Sequence, residues 1–473
     1  MTQEAETGQV DFVVVANRLP VDRRTDESGE VSWRTSPGGL VTALEPVMKS
    51  RHGAWVGWHG APDETLLPFT YDGYELVPVP LSTDEVRRYY EGLSNATLWP
   101  LYHDVVAKPE YHREWWDSYV AVNRRFADTT ASLAAEGATV WVQDYQLQLV
   151  PHMLRARRPD LRIGFFLHIP FPPLELFQQL PWRTQIIEGL LGADIVGFQT
   201  VGGAVNFVRT VRDRLRLDTH RDTIILPSGR QVLARAYPIS IDAKGFEELS
   251  LSAPVRQRAH DLRVELGDPE VLFLGVDRLD YTKGIFHRLR AYGELVADGI
   301  VDPLRCTFLQ VATPSRERVE EYKRLRDEVD MLVGRINGDL ATVGRPVIHY
   351  MHTSFPREEM AAMYTAADVM VVTPLRDGMN LVAKEYIACR TDNDGTLVLS
   401  EFAGAADELR QAYMINPYNM NDMKNVMTLA MKDTVQNKRR RMRALRRQVF
   451  THDIDAWAQS FLTDLAAEPV TQP

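Results

Sequence analysis

Short β-branched or aromatic runs recur along this chain, and most are followed by longer stretches in which apolar residues return every three or four positions. Phe12-Val-Val-Val15, Thr139-Val-Trp-Val142, Ile163-Gly-Phe-Phe-Leu167 and Ile195-Val-Gly-Phe198 form a first series. Val271-Leu-Phe-Leu274, Thr307-Phe-Leu-Gln-Val311, Val347-Ile-His-Tyr350, Val369-Met-Val-Val372 and Thr396-Leu-Val-Leu-Ser400 form a second. Strands alternating with helices predict parallel, doubly wound sheets, and two such series predict an α/β chain with two Rossmann-like domains facing across a deep cleft. The extended segment Tyr237-Pro-Ile-Ser-Ile-Asp242 sets the boundary, giving domains over 1–240 and 241–455, with a terminal helix and tail over 456–473. That helix places Trp457, Phe461 and Leu465 on one face, which must dock on another surface.

The densest chemistry lies in Thr373-Pro-Leu-Arg-Asp-Gly-Met-Asn-Leu-Val-Ala-Lys-Glu-Tyr386. Pro374 stops the preceding strand, Arg376, Asp377, Gly378 and Asn380 crowd a turn, and Leu381, Val382, Ala383, Ile387 and Ala388 suit a helix packed on a sheet. Unsatisfied N–H groups at such a helix start form an anion site, beside which Asp377 and Glu385 could hold sugar hydroxyls. The plain alternative is a capped helix with incidental polar residues.

Composition narrows the classes. At 473 residues and 45% hydrophobic the chain is long enough for two or three domains with substantial cores. No run of about 18 apolar residues occurs and the first residues are acidic, so neither a membrane span nor a secretory signal is expected and the cytoplasm is the default location. Cys306 and Cys389 are the two cysteines, too few for a disulfide framework or a Cys-based zinc site, and both are expected to be buried. A net charge of −10 disfavours nucleic acid as a partner. The basic run from Lys438 to Arg447 is interrupted by Met442, Leu445 and Val449 at helical spacing, which predicts an amphipathic helix with a solvated basic face.

Other polar groups gather at predicted strand exits, where open α/β sheets bind ligands. In Asp277-Arg-Leu-Asp-Tyr-Thr-Lys-Gly284, Arg278 and Lys283 suit a diphosphate, the alternative being surface ion pairs with Asp277 and Asp280. Asn17-Arg18 follows the first strand, and Gly38 and Gly39 would let backbone approach a phosphate or sugar. Asp144 follows Val142, His168 follows Leu167, and Arg316 follows Val311. Tyr90 and Trp99 in the aromatic segment from Tyr89 could line a sugar pocket. The G-x-G-x-x-G, P-loop, H-E-x-x-H and G-x-S-x-G patterns are absent, which removes the usual support for hydride transfer, P-loop phosphoryl transfer, zincins and serine hydrolases. Asp392-Asn-Asp-Gly395 lacks the Glu that a calcium loop needs, since Ala403 stands at its twelfth position, and reads as a turn.

Together, Ala16-Asn-Arg18, Pro37-Gly-Gly39, Ser94 to Pro100, Gly164 to Pro172, Arg278 to Gly284, Gly334-Arg-Ile-Asn-Gly338 and Thr373 to Tyr386 make this sequence resemble the trehalose-6-phosphate synthases, retaining glycosyltransferases of GT-B architecture, from about Val13 to Leu465. The resemblance implies a terminal helix crossing back to the first domain and transfer of glucose from UDP-, ADP- or GDP-glucose to glucose 6-phosphate. It implies that Arg278 and Lys283 bind the donor diphosphate with Gly38 and Gly39 nearby, that Phe355 lies by the nucleobase, and that Leu381, Val382, Ala383, Lys384 and Glu385 contact diphosphate and ribose. Asp377, Gly378, Met379 and Asn380 would hold the donor glucose, with His168 against that sugar. Arg18, Arg316 and Tyr90 would grip glucose 6-phosphate, Trp58 and Trp99 would wall its pocket, and Asp144 would bind one of its hydroxyls. The catalytic set is then Arg278, Lys283, His168 and Asp377, acting without metal or other cofactor on small-molecule substrates, in a homo-oligomer, dimer or tetramer.

The family offers no clear carboxylate nucleophile, so the resemblance implies a front-face route to retention. Gln143-Asp-Tyr-Gln-Leu147 departs from the family's usual His-Asp-Tyr-His-Leu while keeping Asp144. Presence of Arg18, Tyr90 and Arg316 argues against a cyclitol-joining pseudo-glycosyltransferase, and presence of Arg278, Lys283, Asp377 and Glu385 against a non-catalytic sugar-phosphate sensor. A nucleotide-sugar epimerase would have little use for a second phosphate clamp.

Overall fold

The computed structural model describes residues 9–25, 31–36 and 39–467. The chain divides into two units: unit 1 runs to Pro238 and resumes at Trp457, and unit 2 is Ile239–Ala456. Unit 1 contains β1 (Val10–Arg18), β2 (Val21–Thr25), β3 (Val31–Thr35), β4 (Ala54–Trp58), β5 (Phe69–Tyr71), β6 (Tyr74–Pro78), β7 (Ala134–Gln143), β8 (Arg162–Leu167), β9 (Ile195–Phe198), β10 (Asp218–His220), β11 (Thr223–Ile225) and β12 (Gln231–Ala236). Unit 2 contains β13 (Val271–Arg278), β14 (Cys306–Thr313), β15 (Ile348–Met351), β16 (Val369–Val372), β17 (Thr396–Ser400) and β18 (Tyr413–Ile415).

Ten strands form the sheet of unit 1 in the order β10-β11-β12-β9-β8-β7-β1-β4-β6-β5, while β2 and β3 make a separate antiparallel ribbon. From β12 to β6 every pairing is parallel, and only the outer strands β10, β11 and β5 pair antiparallel. Helices cover both faces of a sheet of this kind, so its strands read as continuous apolar runs; Phe12, Val13, Val14 and Val15 are all fully buried. Unit 2 is a six-stranded, all-parallel sheet in the order β15-β14-β13-β16-β17-β18. Each strand predicted from an apolar run is present, and Ile195–Phe198, Val369–Val372 and Thr396–Ser400 keep the predicted ends. The apolar-run pattern does not mark β4, β6 and β12, where Trp, Gly, Glu, Gln or Arg break up the run, nor the short β18 or the outer and ribbon strands β2, β3, β5, β10 and β11.

Both sheets therefore start in the middle and grow outward first to one side, then to the other. In unit 2 the direction reverses between β13 and β16, and in unit 1 between β1 and β7. At such a reversal the connecting helices leave on opposite faces, which opens a crevice at the carboxyl ends of the two central strands.

From Trp457 onward the helix Ile454–Ala466 belongs to unit 1. Phe461 stacks on Trp141 with ring centroids 4.5 Å apart, and Trp457 stacks on the same ring at 5.1 Å. Gly164 of β8 and Gly197 of β9 make room for it, because a Cβ at either would fall 2.7–2.8 Å from a Phe461 ring carbon. Asp464 Oδ2 accepts hydrogen bonds from the Tyr237 hydroxyl at 2.7 Å and from Arg235 at 2.6 Å. The basic run forms the helix Val435–Thr451 with Met442, Leu445 and Val449 buried, as its spacing predicted. Both cysteines are buried and free. No helix among the described residues is long and apolar enough to cross a membrane.

Candidate active site

In unit 2 the loops leaving β13 and β16 meet at the reversal. The first carries Arg278, Asp280 and Lys283, and the second carries Asp377 to Asn380 before the helix Leu381–Cys389. Lys283 Nζ donates to Asp377 Oδ2 at 2.6 Å, and Asn380 Nδ2 lies 3.3 Å from the same oxygen. Backbone bonds fix this approach: Leu375 N–H donates to Thr282 O at 2.7 Å, and the Thr373 hydroxyl donates to Gly284 O at 3.1 Å. Gly284 has φ +63°, and a Cβ there would fall 2.1 Å from Thr373 O, so the two loops close only around a glycine.

Asn380, at φ +101°, caps the helix by accepting from the Ala383 N–H at 3.1 Å. The cap satisfies one of the first-turn donors and leaves the helix dipole pointing at the turn. Asp277 and Asp280 are both buried rather than at the surface. Asp277 pairs with the buried Arg288, and Asp280 bonds Thr282 and Tyr322 and lies 3.4 Å from Arg316. Burial alone would raise the Asp280 carboxyl, but Arg316, Arg278 and Lys283 beside it hold it well below the usual carboxylate range.

The other donor-side residues divide into two groups. Gly378, Met379, Leu381, Val382 and Ala383 belong to the turn and the first helical turn, with Gly378, Met379 and Ala383 buried. Lys384 is 1% exposed and its ammonium bonds Ile239 O at 2.8 Å and Glu408 at 2.7 Å. Glu385 accepts from the Tyr364 hydroxyl at 2.8 Å, and burial pushes its carboxyl above the usual range. Phe355 borders a cavity of about 590 Å³ whose lining includes Arg258, His349, Tyr350, Met351 and Glu359. Arg316, predicted on the acceptor side, lies in unit 2 after β14 with φ +49°, against Asp280 and Tyr322.

In unit 1 the groups leaving β1, β4, β7 and β8 are Arg18, Trp58, Asp144 and His168. The Arg18 guanidinium lies over the Trp58 ring, 5.3 Å from its centroid, and bonds Asp22 at 3.2 Å. Gly60, at φ +103°, makes this possible, since a Cβ there would sit 2.5 Å from Arg18 Nη2. Asp144 holds φ +72° and ψ 171°, a region sterically open essentially to glycine, and its Oδ1 accepts from the His168 N–H at 3.1 Å. His168 Nε2 lies 2.9 Å from Gln143 Oε1, and burial lowers its imidazole to about 3, so it stays neutral near pH 7.

Tyr90 and Trp99 belong to one wide helical passage. Residues Val86–Leu98 form a π-helix, a rare geometry found mostly at functional sites, and the Trp99 N–H closes it on Ser94 O. Its fully buried Tyr89 donates to Asn17 Oδ1 at 2.8 Å, and Asn95 Oδ1 accepts from the Tyr145 hydroxyl at 2.8 Å. The segment that carries Tyr90 and Trp99 is thereby tied to the strand that carries Arg18 and to the turn after Asp144. Gly38 lies outside the described residues, and Gly39 opens the helix Gly39–Arg51.

Sequence reasoning missed Tyr322, Tyr89, Asn95 and Gly60, all of which hold predicted site residues in place. None carried a local signal: the strand before Gly60 was itself not predicted, and the tyrosines looked like ordinary core aromatics. Three of the predicted site residues, Asp144 in unit 1 and Arg316 and Asn380 in unit 2, have positive φ.

Two doubly wound sheets, each with charged and aromatic side chains at its central reversal and a cation-lined helix start in unit 2, define a glycosyltransferase of the GT-B class. Residues 10–467 match the family model described as Glycosyltransferase family 20. A trehalose-6-phosphate synthase from Mycolicibacterium vanbaalenii is 58% identical over 99% of this chain and 98% of its own length. Among solved structures, an Escherichia coli protein bound with UDP-2-fluoro glucose superimposes with a TM-score of 0.89 at 32% identity, over 97% of this chain and 99% of that one. A UDP-forming trehalose-phosphate synthase from Burkholderia xenovorans in complex with glucose-6-phosphate superimposes with a TM-score of 0.87 at 32% identity, over 96% of this chain and all of that one. The chain belongs to glycosyltransferase family 20, the family of the trehalose-6-phosphate synthases, and is a hexose-transferring enzyme.

Proposed function

We propose that this protein transfers glucose from a nucleoside diphosphate glucose to glucose 6-phosphate, with retention at the donor carbon, and so forms α,α-trehalose 6-phosphate. The observation that carries the reading is the bond between Lys283 and Asp377 at the reversal of the unit 2 sheet. It brings a cation suited to a diphosphate against a carboxylate suited to sugar hydroxyls, next to the helix start at Leu381. In the same reading Glu385 takes the ribose hydroxyls and Phe355 flanks the base, while Arg18, Tyr90, Trp58, Trp99, Asp144 and Arg316 receive glucose 6-phosphate. The relatives bound with UDP-2-fluoro glucose and with glucose-6-phosphate support both halves.

The mechanism follows from the charges. Asp377 is occupied by Lys283 and Asn380, which suits a sugar-holding carboxylate better than a nucleophile. The acceptor hydroxyl then attacks from the face that the diphosphate leaves, and a leaving phosphate oxygen takes its proton. Arg278, Lys283 and the helix dipole stabilise the negative charge that grows on the diphosphate as the glycosidic bond breaks. Those groups supply the charge compensation that a metal provides in other transferases, so no metal is required in this reading.

The test uses purified protein with glucose 6-phosphate and, in turn, UDP-, ADP- and GDP-glucose, with a chelator present. Nucleoside diphosphate should be released in step with a non-reducing disaccharide phosphate whose two anomeric protons both show α coupling. Absence of product with all three donors overturns the assignment, and a β-linked product overturns retention.

A further inference from the structure

One carboxylate in unit 2 touches both phosphate-directed parts of the site. Asp280 Oδ1 accepts from the Thr282 N–H at 2.9 Å and the Thr282 hydroxyl at 2.8 Å, which shapes the loop between Arg278 and Lys283. Its Oδ2 accepts from the Tyr322 hydroxyl at 2.8 Å and lies 3.4 Å from Arg316 Nη1. The same Arg316 nitrogen donates to the Tyr322 oxygen, and the guanidinium carbon lies 5.5 Å from the centre of the Tyr322 ring. Tyr322 is 2% exposed, on the helix Glu320–Leu340.

Arg316 is held in a left-handed backbone conformation at φ +49°, which a non-glycine residue keeps only where its surroundings dictate it. The ring of Tyr322 and the Asp280 carboxylate are among those surroundings. Packing alone would be served equally by phenylalanine, since the ring meets Tyr281 edge-on at 5.3 Å. The hydroxyl is the part that phenylalanine lacks, and it is the part that joins Arg316 to Asp280.

We infer that Tyr322 is a positioning residue for the acceptor: its hydroxyl occupies Asp280 Oδ2 and orients the Arg316 guanidinium toward the phosphate of the incoming sugar phosphate. Without that hydroxyl, Asp280 would draw Arg316 into a closer ion pair and withdraw it from the phosphate. The inference rests on the acceptor reading given above for Arg316. It adds that the loop carrying Arg278 and Lys283 and the acceptor-phosphate arginine share one anchor.

Tyr322→Phe isolates the hydroxyl. Calorimetric titration with glucose 6-phosphate and with inorganic phosphate, each with nucleoside diphosphate present, would be paired with initial-rate kinetics and a melting curve. Tyr322→Phe should weaken both phosphate ligands by about tenfold, the scale of one hydrogen bond to a charged group. The donor KM should stay within about twofold and the melting temperature within a degree or two. Unchanged affinity for both phosphate ligands overturns the inference, and so does a donor KM that rises in parallel, because that marks general loosening of the unit. If the wild-type protein binds glucose 6-phosphate but no donor transfers to it, the synthase reading fails while the calorimetric comparison still decides the role of Tyr322. If the wild type binds neither phosphate ligand, the inference falls.

Discussion

Lys283 Nζ and Asp377 Oδ2 lie 2.6 Å apart, with side chains only 10% and 14% exposed, and they connect the loop after β13 to the turn after β16. Shelter from water costs both ions solvation that their attraction offsets, and in the proposed reading each member serves a different part of a nucleotide sugar. Binding of the diphosphate at Lys283 would loosen its hold on Asp377 and release that carboxylate to the sugar hydroxyls. In the proposed reading, donor binding and sugar orientation are linked through this one N–H···O contact.

Lys283→Ala and Arg278→Ala should each lower kcat by about 10²-fold or more, on the order of 3 kcal/mol of transition-state stabilisation. The effect belongs in kcat because charge develops on the diphosphate as the bond breaks. Steady-state kinetics with saturating donor is the check; a rise in donor KM with kcat preserved would leave these cations as binding groups only.

Asp144→Gly separates stability from activity. The backbone at φ +72° costs about 1–3 kcal/mol for a residue with a Cβ, while the hydrogen bond from the His168 N–H contributes about 0.5–1.5 kcal/mol. Relief of strain offsets the lost bond and the added chain entropy of glycine, so the glycine variant should melt within a few degrees of the wild type while kcat/KM for glucose 6-phosphate falls by about tenfold or more. A lower melting temperature with the acceptor kinetics intact would make Asp144 a purely architectural residue.

The pH dependence of stability should carry the signature of His168. Burial lowers the native imidazole to about 3, against about 6.5 in an unfolded chain. Between those values the unfolded chain binds a proton that the native protein does not, so this contribution is complete above about pH 6.5 and is lost as pH falls toward 3. Urea unfolding at pH 7.5 and pH 5.0 should show a larger loss for the wild type than for His168→Asn. Equal losses would mean that the ring is not shielded as described.

Long parallel strands and strand-exit chemistry were legible in the sequence because both leave local marks. Val369–Val372 is an apolar run closed by a proline two residues on, and the turn behind it concentrates Asp377, Gly378 and Asn380 within four residues. The anchors were not legible, for a physical reason. Tyr322 is 42 residues from Asp280 and Tyr89 is 72 from Asn17, and nothing in a tyrosine's neighbours tells whether its hydroxyl will meet a carboxylate or water. The strain at Asp144, Arg316 and Asn380 was hidden likewise, since sequence-level expectation assigns positive φ to glycine first. The partners of the Lys384 ammonium, Glu408 and Ile239 O, were hidden for the same reason.

The Trp457 indole donates to Tyr237 O across 220 residues of chain, and Phe461 fills the space that Gly164 and Gly197 leave over β8 and β9. On a ribosome adding about 5–20 residues per second, the first sheet therefore waits on the order of ten to forty seconds for its last covering helix. Unit 2 is synthesised whole within that interval. The first half of the molecule is begun first and finished last, so a fragment cut at Pro238 would leave Trp141 and Phe166 without the aromatic cover that keeps them dry.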